Sequence, residues 1–229
     1  MKTERTIGIL LILGAIGVFI PYTILSFIFN YPDILREDAG VILTKFHEGG
    51  PSLIFIWFLF AIFGLPLLVA YILIGQKLEK QIHFSRWATI IGIISIIVQM
   101  IGLLRWTFVV PVLANDFVYA TDESTRQAIK TVFKAVHQFA GVLLGEHLGQ
   151  LFTIIWTIMI ASAFEKLRLF PKWIILLGFI SAGIYLLAQA ELFKTVIPNF
   201  PVWDLAGLIG STLWLIWLII VGIRFLKMK

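Results

Sequence analysis

The side chains able to do chemistry in this chain fall in a few short stretches. One is Phe46-His47-Glu48-Gly49-Gly50-Pro51. A second is Gly145-Glu146-His147-Leu148-Gly149-Gln150, eight residues after His137. Between them stands the pair Arg105-Trp106. Histidine and carboxylate together can hold a divalent metal such as zinc, which needs three or four converging ligands. His47, His147 and Glu146 are the natural set, with His137 and Glu48 in reserve. A metal-bound water, with Glu146 or Glu48 as general base, would make a membrane-embedded metal-dependent hydrolase. Against this, Glu146 and His147 are neighbours about 100° apart on a helix, and no H-E-x-x-H pair places two ligands on one face. Two histidines from different segments, His47 and His147, could instead hold haem b. A third reading makes Arg105 the anchor for an anionic group, on a small molecule or a lipid headgroup. His47, Glu48, Glu146, His147 and Gln150 would line that site, the histidines and glutamates coordinating the ligand or exchanging protons. In a fourth reading Arg105 pairs with Glu146 or Glu191, the histidines cap helix ends, and the cluster is structural.

Other chemistry is excluded or unsupported. The chain has no Cys, which rules out disulfides, thiolate metal sites and cysteine nucleophiles. Its serines lack a Gly-x-Ser-x-Gly setting, and no glycine loop leads to a phosphate-binding lysine. His83 lies in a basic loop, where solvation is its expected state.

These residues must be positioned by apolar elements. Of 229 residues 60% are hydrophobic and only 14% charged, with 20 Phe and 8 Trp, and the mean hydropathy is +0.99. A soluble core of this size cannot hide that much apolar surface, so the composition points to a multi-pass membrane protein. Six segments approach the roughly 20 apolar residues a spanning helix needs: about 7–29, 51–74, 87–110, 140–164, 173–190 and 205–223. The expected fold is all-α, one transmembrane domain over 1–229. The first segment is too long and uncharged for a signal-peptide core and is read as a retained helix. Asp122-Glu123-Ser124-Thr125, followed by Arg126, Ala128 and Val132, predicts a short interfacial helix leading into the fourth span.

Six spans put both termini on one side. That side carries Lys2, Arg5, Lys77, Lys80, Arg86, Lys166, Arg168, Lys172, Arg224, Lys227 and Lys229, opposed only by Glu4, Glu79 and Glu165. The positive-inside rule then places both termini in the cytoplasm and the chain in a cytoplasmic (inner) membrane. The net charge of +5 is better spent on anionic lipid headgroups than on nucleic acid.

The chain also repeats. Aligning Trp87 with Trp173 matches Arg86 with Lys172, Gly92 with Gly178 and Ile94-Ser95 with Ile180-Ser181. The even-numbered spans share a glycine followed seven residues later by tryptophan: Gly50 and Trp57, Gly149 and Trp156, Gly210 and Trp217. Three related helical hairpins follow, with the first fitting least well. In this register His47, Glu48, Arg105, Glu146, His147, Gln189 and Glu191 fall near one depth, at the face away from the termini. Transporters place such groups near the midplane, so the pattern favours a polar cavity at that outer face. Gly141, Gly145 and Gly149 form a small-residue stripe that admits a close helix neighbour.

Taken as a set, Tyr31-Pro32-Asp33-Ile34-Leu35-Arg36, Phe46-His47-Glu48-Gly49-Gly50-Pro51, Arg105-Trp106 and Gly145-Glu146-His147-Leu148-Gly149-Gln150 resemble a bacterial family of small multi-pass membrane proteins catalogued as a domain of unknown function. The resemblance covers about residues 6–225. It implies an integral membrane protein and carries no activity with it.

Overall fold

A computed structural model describes residues 2–228. The described residues contain helices and no strand. Among the described residues six helical runs are long and apolar enough to cross a membrane: Lys2–Phe29, Ala39–Leu78, Ser85–Tyr119, Glu123–Lys166, Lys172–Lys194 and Ala206–Leu226. The all-α, six-span expectation holds. Individual elements are α1 (Lys2–Phe29), α2 (Ala39–Ile62), α3 (Leu65–Leu78), α4 (Ser85–Phe108), α5 (Val110–Tyr119), α6 (Glu123–Val136), a π-helical stretch (His137–Leu148), α7 (Gly149–Lys166), α8 (Lys172–Leu187), α9 (Gln189–Lys194) and α10 (Ala206–Leu226). A single 3-10 turn, Asp33–Arg36, lies in the loop after α1.

Each span packs against those before and after it in sequence, and the first packs against the last. The six therefore close into a ring. Lipid tails are as apolar as leucine, so such helices associate through close van der Waals fit at small residues. Two hairpins use one device twice. The indole of Trp156 lies on Gly92, where an added Cβ would meet it at 2.5 Å; the indole of Trp217 lies on Gly178, at 2.9 Å. Gly149 faces Gln99, and Gly210 faces Tyr185, the position matching Gln99 in the same alignment. The second and third hairpins thus repeat in packing as well as sequence. The first departs: Trp57 stacks on Trp106 at 4.8 Å and meets Phe29 edge-on.

The ring has two cores. Toward the termini Leu11, Tyr71, Trp156, Trp217, Phe164 and Phe225 fill it. Toward the other face, here called distal, Leu25, Phe29, Phe46, Trp57, Trp106 and Phe133 do so. Spans two to four run well past a bilayer. At 1.5 Å per residue the 44 residues Glu123–Lys166 exceed about 60 Å, twice the ~30 Å hydrocarbon core. All three change geometry at the distal end. Gly50 leaves the helical region at φ 56°, ψ −155°, just before Pro51; only glycine adopts such a conformation freely. Val109 separates α4 from α5, which has Pro111 in its first turn. The fourth span passes through the π-helical stretch. Beyond these breaks, the first part of α2, α5 and α6 form a cap around Ile42, Phe46, Val110, Ala114 and Phe133. The interfacial helix expected after Asp122 is α6, with Asp122 accepting from the Thr125 amide as N-cap. It continues into the fourth span without a chain break.

Candidate functional site

The distal polar groups divide into two places. The larger gathers Arg36, Arg105, His137, Glu146, His147, Gln150, Gln189 and Glu191 where spans three, four and five meet the loop after α1. His47 and Glu48 lie outside it, on the cap. The His47 ring stands edge-on to Tyr119 at 5.6 Å, and Glu48 is exposed beside Lys45 and Lys130. The reason is the break at Gly50, which carries the preceding turn of α2 away from the ring. Among the described residues no three His, Asp or Glu side chains come together in a way that could hold a metal ion. The proposed ligands His47, His147 and Glu146 are accordingly not one set. The haem pair is separated as well: His47 belongs to the cap, and His147 to the wall facing α9.

Arg105 does not pair with Glu146 or Glu191 as one reading required. Arg36 takes both carboxylates, with Nη2 at 2.7 Å from Glu146 and Nε at 3.1 Å from Glu191. This arginine sits on the 3-10 turn, where spacing along the spans gave no hint of it. The same loop is fastened by apolar contacts. Ile34 and Leu35 are buried, and the Tyr31 ring meets Trp57 and Tyr22 edge-on at 5.3 and 5.4 Å. Burial raises the Tyr31 phenol pKa; the charge of Glu146 adds to this and Arg105 opposes it. At the loop's far end the Gly40 amide holds Asp38 below the usual carboxylate range, with help from Lys130.

Arg105 is 6% exposed. Its guanidinium donates from Nη1 to the Gly102 carbonyl of its own helix, leans over Trp106 at 5.0 Å and rests on Gly141, where an added Cβ would lie 2.5 Å from Nη2. Its Nε has no hydrogen-bond partner, and no carboxylate lies within 4.0 Å among the described residues. The glycine stripe explains the seat: Gly102 and Gly145 bring the two backbones together, and Gly141 leaves space for the guanidinium. One turn farther out, His137 is 8% exposed; neither ring nitrogen makes a well-aligned hydrogen bond, and the Leu35 backbone is the polar group that approaches the ring. Its ring stacks on Phe133 at 5.4 Å and faces Trp106 edge-on at 6.1 Å. Buried donors without acceptors are rare and costly.

The remaining residues are linked. His147 Nδ1 donates to Gln189 Oε1 at 2.7 Å, and Gln189 Nε2 donates to Gln150 Oε1 at 2.8 Å. An amide oxygen only accepts, so this chain fixes the His147 tautomer with its proton on Nδ1. Deeper, Ser95, Gln99 and Thr153 all donate to the Gly149 carbonyl at the end of the π-helical stretch. That network is internally satisfied and clamps spans three and four.

No curated protein and no solved structure gives a match. A family model described as "Domain of unknown function (DUF4386)" matches residues 6–222, nearly the whole chain, and the protein belongs to that family.

Proposed function

We propose that this protein is an integral membrane protein that binds an anionic ligand at its distal face, with Arg105 as the anchor. One observation carries the reading. Arg105 is a buried cation whose hydrogen-bonding capacity is mostly unused and whose natural counter-charges are held by Arg36. Ionisable groups at such depth face the interior of the bundle and mark binding sites. Phosphate and carboxylate are the acceptors that match a guanidinium in geometry. Glu146, His147, Gln150 and Gln189 form the neighbouring wall, and the loop 30–38, latched by Arg36, covers the mouth. The chain works as a single membrane domain. The distribution of Lys and Arg supports a cytoplasmic membrane with both termini in the cytoplasm, so the site faces outward. Single cysteines placed in this cysteine-free chain at the α6 start and at the loop after α3 test that orientation with an impermeant thiol reagent; labelling only at the latter from outside intact cells would reverse it.

Arg105→Leu tests the anchor. A residue kept for a ligand is held at a cost to stability. Removing a buried, unpaired charge relieves its desolvation, several kcal/mol in effective terms. The variant should lose ligand-induced stabilisation by added anionic lipid while unfolding no earlier than wild type without ligand. A protein that unfolds much earlier and still binds would make Arg105 structural.

A further inference from the structure

Beside His137 lies a cavity of about 390 Å³, bounded by Leu35, Ile42, Phe133, Lys134, His137 and Thr195. Its level is set by the hydrogen bond from Gln138 Nε2 to Thr195 Oγ1, 3.1 Å, since Thr195 directly follows the last residue of the fifth span. The cavity therefore sits where the hydrocarbon ends and headgroups begin. Its walls are mixed. Leu35, Ile42 and Phe133 are apolar, Lys134 is an exposed cation, and Glu37 adds an exposed carboxylate. Val196 also lines it, and Val196 and Ile197 stand exposed past the end of the fifth span. The buried face of the cavity ends in the imidazole of His137, whose two nitrogens make no well-aligned hydrogen bond. On the same helix face, one turn inward, Gly141 carries the guanidinium of Arg105. Lys134, His137 and Arg105 thus form a ladder of donors running from headgroup level to the buried anchor.

We infer that this cavity receives the phosphate group of an anionic phospholipid from the distal leaflet, with Lys134 and His137 donating to the phosphate on the way to Arg105. The inference rests on the anion-binding reading and names its ligand as a phosphate-bearing amphiphile. A soluble anion would need neither the apolar wall nor a mouth at this depth. The lipid phosphate has acceptors for both donors, and its acyl chains can stay in the bilayer.

The test uses full-length protein in mild detergent with two probes, short-chain phosphatidylglycerol and inorganic phosphate. Thermal shift and native mass spectrometry are the readouts, on wild type, Lys134→Gln, His137→Leu and Arg105→Leu. Wild type should retain one phosphatidylglycerol that phosphate displaces poorly. Lys134→Gln, at an exposed position where folding is not at risk, should weaken that binding about threefold to tenfold through loss of its charge, and His137→Leu about tenfold or more through loss of its buried donor. If both variants bind phosphatidylglycerol like wild type while Arg105→Leu does not, the cavity assignment is wrong and the anchor stands. Equal or tighter binding of inorganic phosphate overturns the lipid assignment. No binding of either probe to wild type overturns the anchor reading as well.

Discussion

The close approach of spans three and four at Gly102 and Gly145 is the feature that seats Arg105, and its cost of disturbance can be worked out. A Cβ on Gly102 would stand 2.7 Å from the Gly145 Cα and 2.9 Å from the Ala140 carbonyl oxygen. Both are backbone atoms and cannot swing aside. Ordinary contact begins near 3.4 Å, so Gly102→Ala must part the helices by about 0.7 Å along that line. Overpacking of this kind costs about 1–3 kcal/mol, less the ~1 kcal/mol that alanine gains over glycine in helix propensity. The net expectation is a loss of up to about 2 kcal/mol. Gly183 supplies the control. It is exposed on α8, and its Cβ would meet nothing within 4 Å, so Gly183→Ala keeps only the propensity gain and should stabilise by up to ~1 kcal/mol. Both substitutions add one methyl to a spanning helix, yet the signs are opposite. Unfolding in mixed micelles with rising SDS fraction, read by tryptophan fluorescence, measures both. Equal shifts, or a Gly102→Ala protein more stable than wild type, would refute the packing argument. With it would go the account of why Arg105 lies against Gly141.

Other outcomes follow from the same contacts. Arg36→Gln removes both ion pairs of the loop latch; these are part-exposed, so the loss should be about 1–2 kcal/mol, seen as faster amide exchange over residues 31–38 with the spans unchanged. Unaltered exchange there would mean that Tyr31, Ile34 and Leu35 hold the loop alone. Trp217→Phe should destabilise more than Trp156→Phe, by about 0.5–1.5 kcal/mol, because Trp217 Nε1 donates to the Ile174 carbonyl at 2.9 Å while Trp156 Nε1 has no partner; equal losses would count against the drawn bond. At the start of α6, the Thr125 amide and then its hydroxyl hold the Asp122 carboxyl below its ordinary value of 3.8. A lowered carboxyl pKa stabilises the folded helix end above that value, and the benefit fades as pH falls through the folded-state pKa. The Thr125 amide shift should therefore titrate in that acid range in wild type and stay flat in Asp122→Ala; a flat wild-type profile would sink the cap.

The sequence by itself determined the class of this protein. Uncharged apolar stretches of about 20 residues can be satisfied only as helices in lipid, so six spans, an all-α fold and termini on one side were readable from hydropathy alone. The Trp87–Trp173 alignment was readable too, because a glycine that seats an indole leaves its mark at a fixed spacing. The depth of Arg105, Glu146 and His147 followed from counting residues at 1.5 Å each. Depth along a helix does not decide which way a side chain faces or what crosses to meet it. Only the tertiary structure sends Arg36 from a loop to Glu146 and Glu191, which leaves Arg105 without the partner that its sequence neighbours suggested. Only the break at Gly50 turns His47 and Glu48 out to the cap, though the sequence put them near one depth with Glu146 and His147. The unsatisfied ring of His137, and the cavity that ends on it, depend on α6, the loop after α1 and the end of the fifth span meeting at one place. Local patterning records burial and period, whereas a site is made by residues distant in the chain whose approach is set by the packing of the whole ring.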